Sequence, residues 1–156
     1  MKFLTILEQH GILTTRRTPE ERTKNHIIAI QKQIQQYIKN GSKGDLDLSN
    51  TPITSLPPNL TYVQYNLYLY GTPITSLLGN LKVGGNLYGS GTQITSLPNN
   101  LKVGGNLTLA YTPITSLPDN LNIGGNLDLY DTPISKKYTA AQLKQLLPGV
   151  TGQIFI

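Results

Sequence analysis

The 156-residue chain contains no cysteine. This absence excludes disulfide bonds, thiolate metal ligands and a cysteine nucleophile. It is compatible with a reducing compartment, and we expect a cytoplasmic protein. The chain has two histidines, His10 and His26, which are far apart in the sequence. Neither belongs to a cluster of acidic residues at metal-ligand spacing. We therefore expect no metal site and no cofactor.

Long apolar runs are also missing from the sequence. No run approaches the ~18 apolar residues that a membrane-spanning helix requires. The segment 1–7 has an apolar core that is too short for a secretion signal, and it is followed at once by Glu8 and His10. We expect neither a membrane span nor a secretion signal.

Charged residues make up 13% of the chain and are unevenly placed. Eight lysines or arginines and three glutamates give residues 1–43 a net charge of +5, whereas residues 44–134 carry −3 and residues 135–156 carry +3. Four of the five acidic residues of the middle form two pairs, Asp45 with Asp47 and Asp128 with Asp131, which lie four repeats apart. Such distant carboxylates cannot act as acid and base on one small substrate, and we expect no enzymatic activity.

The most prominent feature of the sequence is a repeat. The pattern T-P-I-T-S-L-P begins at Thr51, Thr72, Thr92 and Thr112 and, in decayed form, at Thr132. A period of 20 or 21 residues is typical of a stacked solenoid, in which each copy buries its apolar face against the next. Alternating pairs such as Leu67/Leu69 and Leu107/Leu109 predict short parallel strands.

The other constant positions of the repeat have structural interpretations. The isoleucine after each strand, the leucine of each S-L-P and the Val or Ile before each Gly-Gly should point inward. Gly-Gly should supply the backbone freedom for a sharp bend. The constant threonine can satisfy buried backbone groups, and the constant asparagine before each strand should form a supporting ladder.

The two ends are predicted to cap the solenoid. In residues 1–43, Thr18-Pro19-Glu20-Glu21 predicts a helix start and Asn40-Gly41 its end. A shorter helix that begins near Phe3 is expected to end near Gly11. Residues 135–156 carry a second capping box at Thr139 and Gln142. The final residues 152–156 match 125–129 position by position, which predicts a sixth strand. We thus expect one α/β domain, with repeats at 44–134 between the two caps.

The copies are similar to leucine-rich repeats. The pattern of that family is matched here by Leu107-x-Leu109-x-x-Thr112-x-Ile114. The L-P step and the period of 20 resemble the short repeats of secreted bacterial effectors, and T-x-I-x-x-L-P resembles small repeat proteins of bacteria and their phages. The resemblance covers residues 44–134 and implies a recognition surface, in a bacterial or phage host-interaction protein. Threonine replaces the usual asparagine of the family, and the first family leucine is displaced. The ubiquitin ligase activity of some effectors is not implied, because its cysteine nucleophile is absent.

The outward strand positions vary between copies, and this variation favours a binding surface. Tyr68, Tyr70 and Tyr88 should cluster on one half of the sheet, and tyrosine is enriched in recognition surfaces. Our leading hypothesis is non-catalytic recognition of another protein. The candidate partner-binding residues are Tyr68, Tyr70, Tyr88, Tyr130, Asp47 and Asp128.

Two alternatives stay open at this point. The basic N-terminal residues Arg16, Arg17, Arg22 and Lys24 are compatible with a nucleic acid or an acidic partner, although a solvated capping helix would carry the same charges. A weaker alternative is carbohydrate binding, because stacked tyrosines and asparagines also suit sugars. Gly84-Gly85-Asn86 suggests a phosphate loop, but it recurs in every later copy without a P-loop lysine.

Overall fold

The computed structural model describes residues 18–156, which form a β-solenoid with a helix at each end. Helix α1 spans Pro19–Lys39 and helix α2 spans Ala140–Leu146. Between and after them lie ten strands of two residues each. In chain order these are β1 (Leu46–Asp47), β2 (Tyr62–Val63), β3 (Leu67–Tyr68), β4 (Lys82–Val83), β5 (Leu87–Tyr88), β6 (Lys102–Val103), β7 (Leu107–Thr108), β8 (Asn122–Ile123), β9 (Leu127–Asp128) and β10 (Ile154–Phe155). The shorter helix expected between Phe3 and Gly11 lies outside the described residues.

The strands form two parallel sheets. The larger has six strands in the order β1-β3-β5-β7-β9-β10, as the repeat predicts. Equivalent residues of successive copies pair directly, because Leu67 is in register with Leu87 and Tyr68 with Tyr88. The sixth strand also has the predicted register, since Ile154 pairs with Leu127 and Phe155 with Asp128.

The smaller sheet, of order β2-β4-β6-β8, was not foreseen. In three of its four strands the inward residue precedes Gly-Gly, and Val83, Val103 and Ile123 are buried as expected. In β2 the inward residue is Val63, which precedes Gln64. The preceding residues, among them Lys82 and Lys102, are exposed. Each of these strands therefore presents one buried and one exposed residue, which is too short an alternation to identify a strand in sequence.

The core is built from columns of aliphatic side chains that run along the solenoid. The strand leucines and the isoleucines after them are buried, as expected, and so are most leucines of the S-L-P steps. Leu117 departs from its column and is half-buried. Gly89 interrupts the leucine column, and Leu109 Cδ2 approaches to 3.1 Å from where a Cβ of Gly89 would lie.

The threonine column has the role that its burial predicts. Thr72, Thr92, Thr112 and Thr132 are buried, and each hydroxyl donates to the carbonyl three residues earlier. The bond from Thr92 Oγ1 to the Gly89 carbonyl oxygen, for example, is 2.7 Å long. Each copy thus closes the turn after its strand with the same internal hydrogen bond.

The asparagine column forms the predicted ladder. The Asn86 side-chain oxygen accepts the backbone N–H of Asn106 at 2.7 Å, and Asn106 accepts that of Asn126 at the same distance. Asp45 starts the ladder by accepting the Asn66 N–H at 2.8 Å, and Gln153 ends it. The hydrogen bonds of these side chains therefore connect each copy to the next.

The Gly-Gly pairs bend the chain for a reason other than the one expected. None of these glycines has a positive φ. Instead, a Cβ at Gly104 would clash with the carbonyl oxygen of Gly84, and a Cβ at Gly124 would clash with that of Gly104. The copies stack too closely here for any side chain, so the requirement is steric. This contact also gives the recurring glycines a structural role without a bound phosphate.

Both helices begin as predicted. Thr18 with Glu21, and Thr139 with Gln142, form complete capping boxes. Helix α1 ends at Asn40 and covers the first copy with the buried Ile30 and Ile34. Helix α2 packs against β10 through the buried Leu143 and precedes that strand.

Candidate functional site

Three tyrosine rings cluster on the outward face of the six-stranded sheet. Tyr68 and Tyr88 stack with their centroids 4.9 Å apart and an interplanar angle of 11°. The Tyr70 ring lies 5.6 Å from that of Tyr88 and 6.4 Å from that of Tyr68. These separations are within the range of favourable aromatic pairs. The structure therefore brings together the three tyrosines that the sequence placed there, which we call the tyrosine cluster.

The repeat explains this arrangement. Leu67, Leu69 and Leu87 are fully buried, so the residue between or beside them must face outward. Because β3 and β5 pair in register, Tyr68 and Tyr88 become direct neighbours. The rings thus stand on strands whose positions are set by the core beneath them.

Two phenols of the cluster, those of Tyr68 and Tyr70, have a raised pKa. Burial raises the pKa of both Tyr68 and Tyr70 above the ordinary tyrosine value, and nearby charges and tyrosines raise it further. The Tyr88 hydroxyl accepts a hydrogen bond from the Asn86 side-chain amide at 3.1 Å. The surface therefore offers apolar rings together with hydroxyl groups, and the phenols of Tyr68 and Tyr70 are neutral at neutral pH.

Asp47 and Asp128 lie on the same face, on β1 and β9, at opposite ends of the repeat region. Each carboxylate accepts the backbone N–H two residues later, Asp47 from Ser49 at 2.9 Å and Asp128 from Tyr130 at 3.0 Å. One oxygen of each is thus used locally, and the charge stays on the face. The structure separates the two aspartates rather than bringing them together.

Tyr130 pairs with an aromatic residue that the sequence analysis missed. Its ring makes an edge contact with Tyr111, with centroids 5.5 Å apart and an angle of 76°. Tyr111 is 62% exposed and has a φ of +60°. It occupies a turn position where the other copies have residues that tolerate a left-handed backbone, namely Asn50, Gly71, Gly91 and Asp131. A tyrosine in this Asn/Gly/Asp column was the sequence signal that could have identified it.

Small side chains separate the tyrosine cluster from the Tyr111–Tyr130 pair. These are Ser90, Thr108 and Ala110, and Ala110 is 6% exposed. The Thr108 hydroxyl is buried without a hydrogen-bond partner in the described residues. The face thus has two groups of aromatic side chains, separated by a region of small side chains.

The basic residues of the alternative hypothesis lie elsewhere. Arg22 and Lys24 are exposed on helix α1, whereas Arg16 and Arg17 lie outside the described residues. The same helix begins with Glu20 and Glu21. No further observation gathers these cations into a site, and nucleic-acid binding stays a prediction.

Two clefts lie at the ends of the solenoid. The first, of about 330 Å³, lies between helix α1 and the first copy and is lined by Ile27, Gln31, Ile34 and residues 52–58. The second, of about 230 Å³, lies beside helix α2 and includes Asp119, Lys137 and Tyr138. Neither contains a nucleophile paired with a base, so neither favours an active site.

No protein-family model matches the chain, and a search of curated proteins finds no match. Over residues 18–156, no helix is both long and apolar enough to cross a membrane. The inference about function therefore depends on the geometry of the outward face.

Proposed function

We propose that this chain is a non-catalytic protein-recognition module of the leucine-rich-repeat type, which binds its partner on the outward face of the six-stranded sheet. The 20-residue period and the in-register parallel strands support the assignment to this repeat type. A cytoplasmic location and a bacterial or phage origin are part of the same proposal.

The observation that carries the proposal is the tyrosine cluster. The strand leucines, the threonine column, the asparagine column and the Gly-Gly pairs of the repeat are used in the core, the turns or the stacking between copies. The tyrosines on the outward face differ from copy to copy and serve none of those roles. Large aromatic side chains at such positions are typical of the residues that dominate binding energy at protein interfaces.

The arrangement is also favourable for affinity. Binding must compensate for the ordering of side chains at the interface, and groups that are already ordered reduce that loss. Tyr68 and Tyr88 are already stacked on each other, on paired strands. A partner would therefore meet a preformed apolar surface with hydroxyl groups at its edges.

The test is capture of partners from the native cell with wild-type chain and with the double variant Tyr68→Ala/Tyr88→Ala. Loss of a central interface tyrosine typically costs about 2 kcal/mol or more, so affinity for a captured protein should fall at least about thirtyfold. The matched control is Tyr62→Ala/Tyr65→Ala, because Tyr62 and Tyr65 are exposed tyrosines outside that face.

Circular dichroism must show that both double variants keep the fold. If the Tyr68/Tyr88 variant binds the captured protein as tightly as the wild type, the sheet face is not the recognition surface. Equal loss in both double variants would point to a general effect of tyrosine removal and would also contradict the proposal.

A further inference from the structure

Within residues 18–156, the outward face of the six-stranded sheet carries negative charge and no positive charge. Asp45 and Asp47 lie at its first strand and Asp128 at its fifth. Within residues 18–156, none of these three carboxylates forms an ion pair. The lysines and arginines of that part of the chain lie on the helices, in the loops beside them or on the smaller sheet: Arg22, Lys24, Lys32, Lys39, Lys43, Lys82, Lys102, Lys136, Lys137 and Lys144.

The negative charge of this face is opposite in sign to the net charge of the whole protein. The chain has a net charge of +5, so an average surface would be basic. Lys136 reaches the rim of the face, where it pairs with Asp131 at 3.2 Å. The face itself is therefore an acidic and aromatic region in a basic protein, and its charge complements a cationic partner.

The spacing of the carboxylates limits the size of that partner segment. Asp47 on β1 and Asp128 on β9 are four strand positions apart, which corresponds to about 19 Å at ~4.8 Å per strand. An extended chain advances about 3.3 Å per residue. Two cationic side chains about six residues apart in an extended segment would thus reach both carboxylates at once.

The tyrosine cluster lies between the two carboxylates and adjoins β1. The planar guanidinium group of arginine stacks on aromatic rings and also pairs with carboxylates. Because Tyr68 and Tyr88 are stacked face to face, an arginine would use the outer face of the Tyr68 ring, away from Tyr88, and would there lie next to Asp47 on β1. At the other end, Asp128 precedes Tyr130 by two residues, so a second cation would again meet a carboxylate beside an aromatic ring.

The charge of the face and the spacing of its carboxylates fit the same kind of partner. We infer that the occupant of this face is an extended segment of another protein with two cationic side chains about six residues apart, at least one of them arginine. The segment runs across the strands, along the axis of the solenoid. This inference depends on the proposed recognition function and specifies the partner's chemistry.

The test begins with selection of peptides from a random twelve-residue display library on immobilised wild-type chain. Selected peptides are synthesised, and their affinities are measured by fluorescence anisotropy for the wild type and for Asp47→Asn, Asp128→Asn and Asp119→Asn. Asparagine keeps the oxygen that accepts the local backbone N–H and removes only the charge. Asp119 is exposed in a turn away from the face and is the matched control.

We expect enrichment of arginine and lysine at two positions about six residues apart. Asp47→Asn and Asp128→Asn should each weaken binding about two- to fivefold, the range of exposed ion pairs, and Asp119→Asn should leave it unchanged. Tyr68→Ala/Tyr88→Ala should abolish the selection of these peptides.

The outcomes separate the two hypotheses. Peptides that require Tyr68 and Tyr88 but lack cationic residues, or that bind equally to the asparagine variants, would overturn the charge inference and leave the recognition surface in place. If no selected peptide requires the tyrosines, both fail. A wild-type dimer that the tyrosine substitutions dissociate would identify a second copy as the occupant and would also overturn the inference.

Discussion

Replacing Gly104 with alanine is expected to destabilise the protein strongly, because the copies stack too closely there for a methyl group. An alanine Cβ would clash with the Gly84 carbonyl oxygen and lie 3.1 Å from the carbonyl carbon. Both atoms belong to the backbone, which cannot rotate away as a side chain can. The Gly104 N–H also donates to the Val83 carbonyl at 2.8 Å, so separation of the copies would weaken that bond. Overpacking typically costs about 1–3 kcal/mol, and we expect a loss near 3 kcal/mol.

The control for this substitution is Gly79→Ala. No atom lies within 4 Å of a Cβ built at Gly79, and its φ is not left-handed. Alanine at such a position stabilises a protein by about 0.4–1 kcal/mol through the unfolded chain. At about 2–4 °C per kcal/mol, the two variants should differ by roughly 7–14 °C in a thermal melt followed by circular dichroism. Equal melting temperatures would refute the close stacking of Gly104 on Gly84.

Two further predictions concern the turn after each strand. Thr92→Val should lower stability to urea by about 1 kcal/mol, because it removes the buried hydrogen bond to the Gly89 carbonyl. The exposed Thr95→Val should change stability by less than about 0.5 kcal/mol, and equal effects would contradict the role of the threonine column. Tyr111→Gly should be more stable than Tyr111→Ala by about 1 kcal/mol, because glycine relieves the left-handed backbone. If the alanine variant is the more stable in the same assay, the backbone at residue 111 is unstrained.

The six-stranded sheet could be predicted because its signals repeat. Leu67 and Leu87 occupy the same phase in copies 20 residues apart, and parallel pairing is the arrangement that stacks such copies. The match of Ile154 to Leu127 even gave the register of β10. The smaller sheet had no such signal, because a strand such as Lys102–Val103 contains a single inward residue.

The tyrosine cluster was predictable for the same reason as the sheet, since register places equivalent positions side by side. The pairing of Tyr111 with Tyr130 was not foreseen, because Tyr111 lies outside the alternating positions of the strands. The steric role of Gly104 also needed three dimensions, because no sequence pattern reports how closely one backbone approaches another.

The shortness of the repeat makes the variable positions informative. In a copy of 20 residues, the core, the turns and the contacts between copies use most side chains, and few outward positions stay free to differ. Tyr111 occupies a position where the other copies have asparagine, aspartate or glycine, and its left-handed backbone is strained, although its ring is largely exposed. Selection for stability alone would favour asparagine, aspartate or glycine there, as in the other copies. The presence of an exposed ring at a strained position, beside Tyr130 on the proposed binding face, therefore favours a role in recognition over a role in folding.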